Sequence, residues 1–367
     1  VGLFLVPSRD GRWGESRGGA RYPGRTLRAI AKAAPGPGLT LIEVDPPELR
    51  PGTVRVRVEH GSVCGTDLHI YQWDPWAANR MTTPRIVGHE FCGTIIEVAP
   101  DVTDRAVGDF VASESHVVCG TCLQCQMGQG HVCGQTQILG VDIDGGFCAE
   151  AVIPAANARP VPATVPRIAA SMQDALGNAV HTVMAGPVEG RDILITGLGP
   201  IGLFAVAVCR ALGARRIIAT EVSPFRIGLA KGLGVDVVIN PRDEDPAALL
   251  AQLAPKGVEA VLEMSGHPSS FGLALDVVRP GGRVSLLGVY PDRLPTVDLN
   301  KLIFKGLDVQ GIVGRRLWET WDQMAWLQAE RGLDITPIIT HRMPFTEVNA
   351  AMEILRAGQA GKIVFDF

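Results

Sequence analysis

The stretch Asp192-Ile193-Leu194-Ile195-Thr196-Gly197-Leu198-Gly199-Pro200-Ile201-Gly202 decides the architecture of this chain. A continuous apolar run of strand character enters a G-x-G-x-x-G turn, and the apolar segment Leu203-Phe204-Ala205-Val206-Ala207-Val208 continues from it as a helix. The glycine pattern alone is a weak signal; a buried strand before it and a helix after it make it a dinucleotide loop. Gly197 allows the tight turn, Gly199 lets backbone approach a pyrophosphate, and Gly202 permits close helix–strand packing. The pyrophosphate would sit on the helix N-terminus, where free N–H groups and the dipole favour anions. Working outward, Arg216–Thr220, Val235–Ile239 and Ala260–Glu263 read as further apolar strands at intervals that a helix can fill. Such alternation predicts an α/β domain with a doubly wound parallel sheet of Rossmann type.

The second of these strands ends at Thr220-Glu221, about 20 residues past the last glycine, where an acid accepts hydrogen bonds from the adenosine ribose. Glu221 therefore favours NAD and repels the 2′-phosphate of NADP. Arg226 is the complicating residue. It could hold that phosphate, lie along the adenosine, or pair with Glu221.

Upstream, from Thr26 to about residue 165, the sequence is β-rich and punctuated by Gly and Pro. Val54-Arg55-Val56-Arg57-Val58 alternates as a half-buried strand does. Gly93–Val98 and Asp109–Ala112 read as further short strands of an all-β barrel lobe. From about Trp318 the chain reads as a helix, a Pro-bearing strand and a final amphipathic helix that pack back on this lobe. The domains expected are thus 26–177 with 317–367, and 178–316 between them. Residues 1–25 carry Arg9, Arg12, Arg17, Arg21 and Arg25 among glycines without periodicity, and the chain begins with Val. Their simplest reading is a disordered extension or a start site set too early.

Cys119, Cys122, Cys125 and Cys133 fall in a C-x2-C-x2-C-x7-C pattern. Four thiolates at this spacing close a tetrahedral structural zinc site with Zn–S near ~2.3 Å. An iron–sulfur cluster or a disulfide framework are the other chemistries of such a run. A second constellation lies in Cys64-Gly65-Thr66-Asp67-Leu68-His69 and Gly88-His89-Glu90. Cys64, His89 and Glu90 supply a thiolate, an imidazole and a carboxylate, the donor set of a catalytic zinc that keeps one position open. Cys92, Cys148 and Cys209 sit among apolar or small residues and read as buried small hydrophobes.

Bulk properties bound the rest. A chain of 367 residues can hold two cores. A net charge of −4 implies no nucleic-acid partner. No apolar run reaches the ~18–20 residues that span a bilayer. Eight cysteines, at least four of them arranged as metal ligands, fit a reducing cytoplasm.

From Thr26 to its end the chain resembles the zinc-containing medium-chain dehydrogenases, and more narrowly their L-threonine 3-dehydrogenase branch. The resemblance rests on Cys64–His69 with Ile70-Tyr71-Gln72-Trp73-Asp74, on Val87–Glu90, Gly177–Thr182, Gly314-Arg315, Trp318–Trp321 and Pro337–Arg342. Trp73, Asp74 and Trp76 separate this branch from alcohol and polyol dehydrogenases. The fold it implies is a GroES-like β-rich barrel domain plus a Rossmann domain. It implies NAD and two zinc ions per chain, one at Cys64, His89 and Glu90 and one at Cys119, Cys122, Cys125 and Cys133. Thr66 and His69 would relay the proton, and Asp174 would ligate or tune the catalytic metal. Gly197, Gly199, Ile201, Gly202, Glu221 and Arg226 would contact NAD, with Leu287-Gly288-Val289 and Ile312-Val313 at the nicotinamide end. His116 would select substrate, with Arg315 as a second candidate. The implied reaction is oxidation of L-threonine at C3 to 2-amino-3-oxobutyrate by a cytoplasmic homotetramer. Ala175, Ala151 and Val313 depart from the branch's usual proline, aromatic residue and tyrosine. A dehydrogenase of another secondary alcohol, such as sorbitol or 2,3-butanediol, shares every metal and cofactor residue. A non-enzymatic scaffold on the same fold would typically lose some of them.

Overall fold

The strand Asp192–Thr196, buried along its whole length, lies at the centre of a six-stranded parallel sheet. In sheet order the strands are Val237–Ile239, Arg216–Thr220, Asp192–Thr196, Val258–Glu263, Val278–Leu286 and Asp308–Gly311. Numbered along the chain this order is 3-2-1-4-5-6, so the direction of winding switches beside the central strand. The last two strands were not read from the sequence. Val278–Leu286 carries Gly281-Gly282, and Asp308–Gly311 is short and half-exposed, so neither shows a continuous apolar run. Thr196 pairs with Thr220 and Glu263, Glu263 with Leu286, and Leu286 with Gly311. The carboxyl ends of five strands are therefore flush. Four helices that follow these strands start with proline at the first or second helical position: Pro200–Ala211, Pro224–Gly232, Pro246–Leu253 and Pro268–Val277. Proline's missing N–H costs nothing there, and its fixed φ suits the first turn.

The computed structural model describes residues 24–291 and 297–367. It divides into two units. One runs to Asp174 and takes in Arg342–Ala357 and Ile363–Phe367; the other comprises Ala175–His341 and Gly358–Lys362. The expected extension lies outside the described residues except for its last positions, where Arg25 pairs with Glu150. The return to the first unit falls at Arg342 instead of residue 317. The reason is the helix Glu319–Glu330, which buries Trp321, Met324 and Leu327. The Arg331 guanidinium beyond it donates to the Ala211 carbonyl at 3.1 and 3.2 Å, satisfying the C-terminus of a helix in the second unit.

The first unit is antiparallel. Thr53–Ser62 pairs with Phe91–Val98, Glu150–Pro154 and the terminal strand Lys362–Asp366. Val54, Val56 and Val58 point into a core with Phe91, Ile95, Val111 and Ile153. The alternation does not leave Arg55 in water: it is buried, donating to Glu97 at 2.8 Å with Glu150 at 3.5 Å. The amphipathic helix expected near the end is Val348–Arg356, docked by Asn349 exchanging two hydrogen bonds with the Leu39 backbone. The chain does not end on it. Lys362–Asp366 follows as a strand, too short a run to separate from a helix terminus by pattern.

Candidate functional site

Cys64 caps the N-terminus of the helix Gly65–Gln72 in an extended conformation. Its backbone N–H donates to Asp67 Oδ2 at 2.9 Å, so a buried carboxylate fixes the thiol's backbone. His89 and Glu90 precede the strand Phe91–Val98, both buried. The Glu90 carbonyl accepts from Ser62 N–H at 2.8 Å, and the Ser62 hydroxyl donates to Glu90 Oε2. The His89 carbonyl accepts from the Ser113 hydroxyl at 2.9 Å. Close packing sets the turn that delivers them. Gly88 has φ +90°, and a Cβ there would lie 2.1 Å from the Phe147 ring; one at Gly145 would lie 2.1 Å from the Gly88 carbonyl oxygen.

The result is one ligand atom each from Cys64, His89 and Glu90, all within 4.8 Å of one another. The His89 Nδ1 lies 3.9 Å from Asp67 Oδ1 and has no hydrogen-bond partner. Burial would push the His89 imidazolium toward neutrality. Asp67, then Cys64 and Glu90, outweigh burial and lift it to about 10. So much negative charge around a buried imidazole is a cation site, and the donor set of one thiolate, one imidazole and one carboxylate suits zinc with a position left open. Sequence reading passed over Ser62 and gave Asp67 no role. Its signal was a polar residue three positions past a capping cysteine, where it closes a capping box.

Thr66 and His69 ride on the same helix, the Thr66 hydroxyl 3.8 Å from the Cys64 sulfur. His69 is 57% exposed, which puts its imidazole in reach of water, and its Nδ1 is 2.5 Å from Asp74 Oδ2. Asp174 does not join the ligand cluster: it is buried and accepts from the Ser115 N–H at 3.0 Å. The next residue, His116, is partly buried, with Nδ1 4.0 Å from Glu114 Oε1. Its backbone is clamped by Glu114 on the N–H and by Asn157 on the carbonyl.

The four cysteines also converge. The Cys119 sulfur is 3.5 Å from that of Cys133, which is 3.8 Å from that of Cys122, and Cys125 completes the group. These separations are far beyond an S–S bond of ~2.05 Å, and all eight cysteines are free. Burial raises the Cys119 thiol, but N–H groups of Thr121 and Cys122 pull it down to about 6. Burial and neighbouring sulfurs push Cys125 up to about 12. The Cys125 N–H lowers the Cys122 thiol as well. Thiolates are favoured at Cys119 and Cys122 and resisted at Cys125, so four together need a cation among them. Cys92, Cys148 and Cys209 are buried away from both clusters.

In the second unit the glycine loop divides its labour as its positions require. Gly197 has φ +85° and a Cβ there would meet Ser265 at 2.9 Å; one at Gly202 would meet the Gly197 carbonyl oxygen at 2.0 Å. A Cβ on Gly199 would meet nothing within 4 Å, so this backbone faces open space at the helix N-terminus. Glu221 is buried and holds the loop, accepting from Leu198 N–H at 2.8 Å and from Val222 and Ser223 N–H at 2.8 and 2.9 Å. Arg226 is half-buried, and its Nε has no hydrogen-bond partner. Leu287, Gly288 and Val289 leave the end of one strand and Ile312 and Val313 the end of the next, with Val289 and Val313 exposed. Glu263, read from the sequence only as the end of a strand, organises this edge by accepting from Thr196 Oγ1, Ser265 N–H and Gly266 N–H. Arg315, in the same unit, is fully buried, crosses Gly177 and donates to Asn178 Oδ1 at 3.2 Å. No described helix is long and apolar enough to cross a membrane.

A GroES-type antiparallel unit with a Cys–His–Glu cation site, joined to a parallel-sheet unit with a dinucleotide loop, defines a zinc-binding dehydrogenase. Residues 50–163 match the family described as alcohol dehydrogenase GroES-like domain, and residues 200–330 match zinc-binding dehydrogenase. The L-threonine 3-dehydrogenase of Thermococcus kodakarensis is 48% identical over 92% of this chain and 97% of its own length, and that of Bacillus velezensis 43% over 93% and 99%. The chain belongs to the L-threonine 3-dehydrogenase family of zinc-binding dehydrogenases. Among solved structures, a short chain alcohol dehydrogenase from Escherichia coli CFT073 complexed with NADH superposes with a TM-score of 0.85 at 29% identity, covering 94% of this chain and 100% of that one.

Proposed function

We propose that this protein oxidises L-threonine at C3 to 2-amino-3-oxobutyrate with NAD. The observation that carries the reading is the buried convergence of Cys64, His89 and Glu90 in a chain 48% identical to a curated L-threonine 3-dehydrogenase. Oxidation removes a hydride from C3, taken by NAD, and a proton from the C3 hydroxyl. Zinc, when bound by Cys64, His89 and Glu90, acts as a Lewis acid that lowers the pKa of that hydroxyl toward neutrality. The Thr66 hydroxyl, two residues from the ligand Cys64, relays the proton, accepting it while releasing its own toward His69, because a water-excluded site has no bulk base. His69 passes it on to solvent, for which its exposed ring is suited. Asp174 fixes the Ser115 backbone, and through it the strand that presents His116 to the substrate's polar groups. Arg315, the second candidate for substrate selection, is held by the Asn178 side chain within its own unit.

Gly199 and the helix behind it receive the pyrophosphate, and Ile201, Arg226, Leu287–Val289, Ile312 and Val313 complete the cofactor surface. Glu221 sets the choice of NAD over NADP by charge. The four-cysteine lobe holds a second, structural zinc. The reading extends to a cytoplasmic homotetramer, the compartment supported by eight unpaired cysteines. The test is NADH absorbance with L-threonine, L-serine, sorbitol and 2,3-butanediol in turn, on zinc-loaded protein with NAD. L-Threonine is expected to give the highest kcat/KM. A diol turned over while L-threonine is refused would overturn the substrate assignment.

A further inference from the structure

The Trp73-Asp74-x-Trp76 segment marks the branch in sequence, yet nothing in the reaction above uses it. Trp73 is the one non-glycine residue with positive φ among the described residues, at φ 56° and ψ 46°. A helix C-cap in this conformation normally takes glycine, and a bulky residue held there signals a constraint imposed by its surroundings. Two contacts impose it. Its N–H donates to the carbonyls of His69 and Ile70, closing the helix Gly65–Gln72. The buried Lys32 ammonium lies 5.0 Å from the indole centroid while donating to the Gly36 and Gly38 carbonyls, and the Gly38 N–H returns to the Tyr71 carbonyl at 2.8 Å.

The left-handed turn changes what Asp74 can reach. On a continuing helix, side chains five residues apart point about 140° away from each other. Here the chain folds back after Trp73. The Asp74 N–H meets the His69 carbonyl at 3.3 Å, and Asp74 Oδ2 meets His69 Nδ1 at 2.5 Å. Asp74 Oδ1 caps the helix Pro75–Arg80 through the Ala77 N–H at 3.0 Å, which fixes the carboxylate. The Trp76 ring, steadied by Arg80, stands 6.0 Å from the imidazole.

We infer that Asp74 is the positioning residue of the proton relay, and that the strained Trp73 turn exists to bring its carboxylate onto His69. The inference rests on the relay role proposed above for His69. A carboxylate accepting from Nδ1–H places the ring proton there, leaves Nε2 as the base, and stops the ring from turning. The Ala77 N–H, and after it His69, hold the Asp74 carboxyl below its ordinary range, so it is charged at the pH where the enzyme works.

A double-mutant cycle on the zinc-loaded enzyme separates this from a capping role. Wild type, Asp74→Asn, His69→Ala and the double variant are compared at saturating NAD and L-threonine, or with whichever alcohol the panel accepts. Asparagine still caps a helix, so Asp74→Asn isolates the charge; Asp74→Ser, another capping residue, is the second variant should the first lose thermal stability. His69→Ala is expected to lower kcat by about 100-fold, the smaller end of what a lost acid–base group costs. Asp74→Asn should lower it by about tenfold and raise the solvent deuterium isotope effect, with zinc content and Tm unchanged. The double variant should be no slower than His69→Ala alone, because one residue acts through the other. Independent, multiplying losses would overturn the inference. So would wild-type kcat in Asp74→Asn while His69→Ala is slow. If His69→Ala itself keeps wild-type kcat, the relay and this inference fall together and the substrate assignment stands.

Discussion

Cys119, Cys122, Cys125 and Cys133 come together inside one loop, whereas Cys64, His89 and Glu90 come from two separate segments brought together by the antiparallel unit. The loop has little core of its own: Leu123, Met127 and Val132 on it are exposed. The segments of the other site are buried and held by Ser62, Asp67 and Ser113. On the proposed two-zinc reading the first cluster would need its metal to have a shape, while the second has a shape before any metal arrives. The same element in two places is expected to contribute stability in one and chemistry in the other.

Cys64→Ser attacks the pre-shaped site and should have the largest effect. Turnover is expected to fall by more than about 1000-fold, since the Lewis acid and its charge stabilisation leave together. Tm should stay within about 2 °C of wild type, equivalent to less than about 1 kcal/mol for a domain of this size. A large loss of Tm, measured by thermal unfolding beside metal analysis, would erase the contrast. Cys122→Ser, or chelation of that lobe, should do the reverse. Losing about 3 kcal/mol would lower Tm by roughly 6–12 °C. Turnover per folded molecule at room temperature should hold within a few-fold. Inactivity without destabilisation would mean that the lobe serves the reaction directly.

Glu221 tests an intermediate case, since the acid lies about 20 residues past the loop that it braces. Glu221→Ala should weaken NAD by about 1–3 kcal/mol, read by fluorescence titration. It should also raise the use of NADP relative to NAD. Because Leu198, Val222 and Ser223 lose their acceptor, some loosening of the glycine loop should accompany the change. Equal efficiency of wild-type enzyme with both cofactors would break the charge argument.

The smallest effect belongs to a long-range pair that holds no ligand. Asp192 begins the central strand between Arg215 and Arg216. Burial raises its carboxyl, but Arg215 and Arg216 outweigh this and depress it below its ordinary 3.8. A depressed carboxyl stabilises the fold fully above that value and loses its contribution as pH falls through the folded-state value. Asp192→Asn should thus cost less than about 1 kcal/mol at pH 7, Arg215 being well exposed. The Tm difference from wild type should shrink as pH falls below 3.8 and through the lower folded-state value. A difference that persists in acid would point to lost hydrogen bonds instead of charge.

The range of each contact decided what could be read from the chain. The four cysteines and the glycine loop are local patterns, and the donor types of Cys64, His89 and Glu90 marked the triad before the resemblance gave it a role. Arg55 shows the limit: its strand alternates correctly, but Glu97 and Glu150 arrive from other strands to bury it. Val278–Leu286 and Asp308–Gly311 were missed because glycines and exposure break their apolar pattern. Arg315 is packed on Gly177, a long-range contact that no spacing announces. Asp74 lay in plain view, but its reach to His69 depends on one left-handed residue.

The ring of Phe147 occupies the volume that any side chain at Gly88 would need, and Gly140 and Gly145 press on the same turn from the remaining directions. No single substitution can thicken this turn without a second that thins a neighbour. Stepwise change is thus closed here, and drift over generations has to accumulate elsewhere. Directed evolution of what this enzyme accepts should leave residues 87–90, 140 and 145–147 fixed and spend its diversity around His116, the proposed selector, whose backbone is anchored by Glu114 and Asn157.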